Sequence, residues 1–298
     1  MSNRKPDWLK KKVSLNNLTI NQVRDLICDL HLNTVCQSAK CPNIFECFSK
    51  KIATFMLMGN ICTRNCGFCG IKSGTPEILD EDEPGRIADA VKKMGLKYVI
   101  ITSVTRDDLS DGGSSHFAKT IGEINRLNLD LKIECLIPDF KGNVNNLKAI
   151  LAQDPYVLNH NIETVRSNFS RAKKYADYET SLNILKTAKL LRPDIYTKSG
   201  FMLGLGENRE EIMELLLDLK EADCDIITIG QYLRPSRSNL PVKKYYRTEE
   251  FESFKDLAES FNFKAVVSGI FVRSSYGAAT MMDEISKKIS KKVINKAI

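Results

Sequence analysis

The chain has 298 residues, with 44 Lys and Arg against 37 Asp and Glu, a formal net charge of +7 and a hydrophobic fraction of 43%. A chain of this size and composition can bury a core of its own, and no apolar run is long enough to span a bilayer, so a membrane role is excluded as an expectation. The positive excess gathers at WLKKK near the start and ISKKISKKVINKAI at the end; without aromatic residues interleaved among the basic ones, these runs read as solvated faces rather than a nucleic-acid surface.

The opening MSNRKPDWLKKK is short, basic and interrupted by Pro6, unlike a long amphipathic transit peptide, and a cytoplasmic protein is expected. Leu18 to Cys47 reads as helix and then loop, with Pro42 and Asn43 interrupting. Short β-branched runs then alternate with amphipathic stretches. The strand candidates are Ala53 to Met58, Lys97 to Val104, Lys132 to Ile137, Tyr156 to Ile162, Tyr196 to Gly204 and Asp225 to Tyr232. Between them PGRIADAVKKMG, HFAKTIGEINRLN, VNNLKAILAQ, YETSLNILKTAKLL and NREEIMELLLDLKEAD are apolar at spacings of three and four, the helical period. TEEFESFKDLAESFNF continues the helical pattern, and AVVSGIFVRSSYGAA reads as one added strand leading back toward the cysteines.

Alternating strands and helices call for a parallel sheet. Six βα units match a partial (β/α)6 barrel of the TIM type; a doubly wound open sheet shows the same alternation, so periodicity does not choose between them. Strand-end loops are where such folds carry chemistry. CTRNCGFC follows the first strand, SVTRDDLSDGG the second, PDFKGN the third and GLGENREE the fifth.

Six of the nine cysteines fall in two groups: Cys36, Cys41 and Cys47 in CQSAKCPNIFEC, and Cys62, Cys66 and Cys69 in CTRNCGFC. A closed zinc site wants four ligands, whereas three thiolates leave a coordination position free, as in an iron-sulfur cluster with one open iron. The count leaves open one zinc site built from a mixture of the six thiolates. A disulfide framework is disfavoured in a chain large enough to bury its own core. Cys28, Cys135 and Cys224 stand alone in apolar surroundings and read as small buried hydrophobes.

The spacing Cys62-x3-Cys66-x2-Cys69 resembles the signature of the radical S-adenosylmethionine superfamily. With the second triplet upstream and RSSY at Arg273 to Tyr276, the chain resembles the lipoyl synthase family. TSVTRDDLSDGG at Thr102 to Gly113, NHNIET at Asn159 to Thr164, KSGFMLGLGE at Lys198 to Glu207 and TIGQYLRP at Thr228 to Pro235 carry the likeness further, over Pro6 to about Ala279.

The resemblance implies the barrel rather than the open sheet. It divides the chain into an N-terminal extension (1–50) bearing auxiliary cluster ligands, a barrel (51–263) and a C-terminal extension (264–298) with RSSY. It implies two 4Fe-4S clusters and S-adenosylmethionine. Cys62, Cys66 and Cys69 would hold the catalytic cluster, whose fourth iron the cofactor's amino and carboxylate groups chelate; Cys36, Cys41, Cys47 and Ser275 would hold the auxiliary one. The implied activity is insertion of sulfur at C6 and C8 of an octanoyl chain on a carrier lysine, with the auxiliary cluster consumed as sulfur donor. The implied partners are an octanoylated domain of a 2-oxoacid dehydrogenase E2 or glycine cleavage H protein, an electron donor and a cluster-repair protein. The alternative is another radical enzyme of the superfamily with an auxiliary cluster.

Within a barrel, Gly112, Gly113, Asn159, Gly204, Gly206 and Glu207 are candidates for cofactor contact, since glycines at strand ends let backbone approach a ligand. His160 could touch the cofactor or serve as a hydrogen-bonded structural residue, and Arg273 could neutralise cluster charge. Gly67, Gly70 and Gly277 depart from the family pattern without removing a ligand.

Overall fold

The structure, a computed structural model, describes residues 5–11, 17–127 and 129–294, with side chains through Lys287. Its frame is a seven-stranded, wholly parallel sheet: β1 (Thr54–Leu57), β2 (Tyr98–Ser103), β3 (Lys132–Leu136), β4 (Val157–Asn159), β5 (Tyr196–Leu203), β6 (Ile226–Gln231) and β7 (Ala265–Gly269). Every residue of β1 and β6 is buried, because helices cover one face and side chains fill the other. The strands pair in sequence order from β1 to β7. A doubly wound sheet reverses its order part-way, so this order decides for the barrel-type frame, and β1 and β7 remain its two edges.

All six expected strands are present, with the added one as a seventh. β4 is shorter than expected, ending at Asn159; past it Glu163, with a left-handed φ of +74°, forms an isolated bridge to Phe201 of β5. β7 pairs with β6 residue for residue, so residues 264 onward continue the sheet across the expected boundary at 263.

Eleven helices are described. α1 (Leu18–Asp29), α2 (Val35–Ser38) and α3 (Ile44–Ser49) precede the sheet. Crossover helices α4 (Glu83–Met94), α5 (Ser114–Asn125), α6 (Val144–Leu151), α7 (Arg166–Ala172), α8 (Tyr178–Leu191), α9 (Arg209–Glu221) and α10 (Thr248–Glu259) join its strands, and α11 (Ala278–Ile294) follows. None is long and apolar enough to cross a membrane among the described residues. Ile20, Val23 and Ile27 of α1 share one core with Phe48, Phe55, Ile87 and Val99, so the N-terminal segment folds onto the barrel rather than beside it. It covers the β1 edge: Thr34 bridges Phe55, and Met56 N–H donates to Asn33 O at 2.8 Å. α11 closes the opposite end, burying Met281, Met282 and Ile285 against Val157, Ile226 and three tyrosines. Inside the barrel the fully buried Lys198 pairs with Glu134 at 2.9 Å, and Asn159 and Tyr98 donate to the same carboxylate.

Candidate metal and cofactor site

A cavity of about 640 Å³ lies at the C-terminal ends of the strands, and all six clustered cysteines and Ser275 line it. Cys36 sits on α2, whose N-terminus the Thr34 hydroxyl caps, and a left-handed Lys40 (φ +53°) turns the chain so that Cys41 N–H reaches Cys36 O. One turn later Cys47 rides on α3. The second triplet occupies the loop after β1. Its thiols are met by backbone donors: Arg64 N–H and Thr105 N–H point at Cys62 Sγ (3.4 and 3.3 Å), and Ile71 N–H at Cys69 Sγ (3.4 Å). Such donors favour thiolate over thiol.

One guanidinium sews the second loop to its neighbours. Arg64, between Cys62 and Cys66, binds Asp107 through Nε and Nη2 (2.6 and 2.9 Å) and Asp139 through Nη1 and Nη2 (2.5 and 2.8 Å). Asp107 lies after β2 and Asp139 after β3, so three successive strand-end loops meet on one buried side chain. Bidentate pairs of this kind fix geometry as well as charge.

Ser275 lines the same cavity as the first triplet, and the two extensions that carry them are tied together. Asn43 Nδ2 donates to Phe271 O (2.7 Å), and Tyr276 O–H donates to Glu46 Oε1 (2.9 Å). Lys11 binds both Asn43 and Glu46 while lying over the Phe271 and Tyr276 rings. Gly230 on β6 lets the RSSY loop come close: a Cβ there would stand 2.2 Å from Val272 O. Ser274 donates to Asn161 Oδ1 at 2.8 Å.

Between the triplets the wall is polar and charged. His160 is buried; its Nδ1–H donates to Ile137 O (2.8 Å) and its Nε2 accepts from Lys173 (3.2 Å). Burial, reinforced by Lys173, holds its ring neutral, at about 3. Burial likewise pushes the Glu163 carboxyl up against the pull of Lys173. Ser103 Oγ is buried and lacks a protein partner.

The donor set fits iron-sulfur ligation. All nine cysteines are free thiols; Cys135 and Cys224 are buried as expected, whereas Cys28, on the outer face of α1, is exposed. Burial, with neighbouring thiols adding to it, pushes Cys36 and Cys69 up to about 11 and Cys47 and Cys66 up to about 12. Bare thiolates are therefore disfavoured here, and a bound cationic group reverses that balance. Among the described residues no three His, Cys, Asp or Glu side chains are set to hold a single metal ion. Two sets of three soft donors facing one cavity have the chemistry that iron-sulfur clusters take.

The Radical SAM superfamily profile matches residues 56–219. The lipoyl synthase of Caldanaerobacter subterraneus subsp. tengcongensis is 51% identical over 278 residues, covering 93% of this chain and 97% of that protein. The Aquifex aeolicus lipoyl synthase is 49% identical over 257 residues, covering 86% and 93%. The chain belongs to the lipoyl synthase family.

As a lipoyl synthase family member it is a radical enzyme whose superfamily works with a four-iron cluster and S-adenosylmethionine. Among solved structures, HydG, a maturase of the [FeFe]-hydrogenase, matches with a TM-score of 0.58 at 16% identity over 71% of this chain and 50% of that one. Methylornithine synthase matches with a TM-score of 0.51 at 16% identity over 86% and 84%. Both likenesses concern the fold alone.

In this lipoyl synthase family member the other six expected cofactor contacts, Gly112, Gly113, Asn159, Gly204, Gly206 and Glu207, lie outside the cavity lining. Gly112 and Gly113 form the turn into α5, and a Cβ on Gly113 (φ +87°) would stand 2.3 Å from Met58 Sδ. Gly204 packs on Gln231, and Gly206 sits beside Lys243. Glu207 folds back to accept from Gly204 N–H and Leu205 N–H, closing its own turn. Asn159 serves the buried Lys198–Glu134 pair. Their glycine-rich look belongs to turns and close packing. Sequence reasoning read Asn161 only as a partner for strand-end backbone and missed Arg64, Lys173 and Gly230; of these three only Gly230, a glycine inside a strand pattern, left a signal, that of close backbone approach.

Proposed function

We propose that the protein inserts sulfur at C6 and C8 of an octanoyl chain carried on the lysine of a partner domain. The carrying observation is that both cysteine triplets and Ser275 face one cavity, so a single bound chain lies within reach of both. When bound, the cluster on Cys62, Cys66 and Cys69 with S-adenosylmethionine would supply hydrogen-atom abstraction, which no acid or base side chain performs, and the cluster on Cys36, Cys41, Cys47 and Ser275 would supply the sulfur.

The chain's own residues do the rest. Val35, Ile52, Met56, Val104, Leu136 and Met202 give the cavity an apolar wall that excludes water and suits an alkyl chain. Arg64 holds the orientation of the loop that carries Cys62. Lys173 and Arg273 line the cavity; burial pulls both toward the neutral form, and the thiolates and sulfides it would hold would favour their charged forms. Ser275 offers a hard oxygen, a ligand iron releases more readily than thiolate. The carrier is an octanoylated domain of a 2-oxoacid dehydrogenase E2 or a glycine cleavage H protein. An electron donor and a cluster-repair protein complete the cycle, which runs in the cytoplasm.

The test is anaerobic reconstitution, then iron and acid-labile sulfide analysis of the wild type and of a Cys62→Ala, Cys66→Ala, Cys69→Ala variant, followed by turnover of an octanoyl peptide. About eight irons falling to about four, with lipoyl product from the wild type only, is expected. Zinc in place of iron, or loss of all iron in the variant, would overturn the reading.

A further inference from the structure

Residues 233–247, joining β6 to α10, contain no helix or strand. A connection this long inside a compact domain is uncommon and usually functional. It carries Arg234, Arg237, Lys243, Lys244 and Arg247 and no Asp or Glu.

This strap is fastened firmly. Leu240 N–H donates to Gly67 O (2.8 Å), Asn239 Nδ2 to Cys69 O (2.8 Å) and Lys243 N–H to Gly204 O (2.8 Å), while Tyr232 O–H donates to Leu240 O (2.8 Å). Gly67, where the sequence departs from the family pattern, is where the strap presses closest: a Cβ there would stand 2.9 Å from Leu240 Cγ and 3.0 Å from Arg171 O. The middle of the strap is thus bound to the loop carrying Cys66 and Cys69. Its start, Leu233 to Pro235, lines the cavity itself.

Basic side chains outnumber carboxylates around that opening. Lys5 and Lys40 line it from the N-terminal side and Arg234 from the strap. The carboxylates that line it are Asp139, buried under Arg64, and Glu163, beside Lys173 and Arg273. Lys244 is engaged by Glu250. Arg237 and Lys243 are exposed and have no acidic partner among the described residues.

We propose that the strap of residues 233–247 is the docking surface for a folded acidic protein domain, with Arg237 and Lys243 facing carboxylates beside the modified lysine as its acyl arm enters past Arg234. The identity of that domain as the octanoylated carrier rests on the proposed function. Exposed cations of this kind act through steering and register, so their contribution is large at low salt and screened at high salt. The bonds to Gly67 and Cys69 hold the docked domain in fixed relation to the loop where the chemistry begins.

The experiment is direct binding. A fluorescently labelled octanoylated carrier domain with an acidic face is titrated, by anisotropy, with reconstituted wild-type holoenzyme, with Arg237→Glu/Lys243→Glu and with Arg237→Lys/Lys243→Arg. The charge reversal is expected to weaken binding on the order of tenfold or more at about 50 mM salt, the conservative pair to retain it, and the difference to close by about 500 mM. Equal melting temperature and iron content show that the reversed variant is folded. Wild type that fails to bind the domain at low salt, binding indifferent to salt, or a conservative pair as weak as the reversal would overturn the proposal. Turnover of a short octanoyl peptide by the wild type separately decides the proposed reaction. If binding follows the charges while the peptide is untouched, the docking surface stands and the reaction assignment falls.

Discussion

Replacing Arg64 by Met should be among the most damaging single changes outside the cysteines, and the structure sets its size. The Arg64 side chain is 4% exposed, Asp139 2% and Asp107 24%, so removing the guanidinium leaves two carboxylates facing each other, one of them fully desolvated. Breaking a buried pair from one side costs about 3–5 kcal/mol. For a protein of this size that is a fall in Tm on the order of 10 °C. Burial by itself would raise the Asp139 carboxyl, and the guanidinium overrides it, holding the group at about 2 against an ordinary 3.8. A depressed carboxylate contributes stability above its unfolded value and loses it as pH falls through the folded one, here between about 4 and 2. Without Arg64 burial wins, Asp139 rises above 3.8, and the deficit shrinks as the pH is lowered from 7. Urea unfolding of the apoprotein at pH 7 and pH 5 reads both effects. Arg64→Lys should recover only part, since an ammonium cannot bind two carboxylates in fork geometry. Arg64→Met/Asp107→Asn/Asp139→Asn removes the charges together and should recover most of the loss. A single variant within about 1 kcal/mol of wild type, or a triple variant no better than the single, would refute the clasp as described.

Ser275→Cys is expected to slow chelator-driven loss of the auxiliary irons several-fold, since thiolate holds iron more tightly than alkoxide; identical release rates would remove Ser275 from the ligand set. Gly113→Ala forces a side chain into a left-handed backbone against Met58 and should cost about 1–3 kcal/mol by thermal melting while leaving the Kd for S-adenosylmethionine unchanged. Weakened cofactor binding in that variant would restore Gly113 to the site. Hydrogen bonds from Lys11 and Lys50 hold the Glu46 carboxyl at about 2 against an ordinary 4.5. Its contribution, under about 1 kcal/mol for a partly exposed group, is present above pH 4.5 and fades toward 2. The melting difference between Glu46→Gln and wild type should therefore close across that window. Lys198→Met strands Glu134, fully buried, and should cost about 3–5 kcal/mol in urea unfolding, most of it recovered by adding Glu134→Gln.

Much of the frame was legible because strand and helix periods are local. The strand at Lys132 starts where expected and ends one residue early, and β-branched runs marked the others to within a few residues. The six cysteines and Ser275 were legible through spacing and likeness to a known pattern, and they do share one cavity. Arg64 was not: its partners lie 43 and 75 residues away on two other loops, and nothing near CTRNC announces them. The candidate glycine positions lie outside the cavity lining, and their packing was illegible for a related reason. A glycine that closes a turn against Met58 and one that admits a cofactor look alike in sequence, and only the neighbour across the gap tells them apart. The choice between open sheet and barrel was equally non-local, since it rests on strand order.

The ties between the two extensions, Asn43 to Phe271 and Glu46 to Tyr276, join residues 228 and 230 positions apart. Birth order on the ribosome follows from this. Cys36 to Cys69 emerge before every barrel strand but β1, whereas Ser275 emerges only after β7. A nascent chain thus holds both thiol triplets long before it holds Ser275, so the wall of the cavity that Ser275 contributes is in place only after all seven strands have been made. A chain truncated before Arg273 would leave the first triplet facing a cavity that lacks its Arg273 to Tyr276 wall.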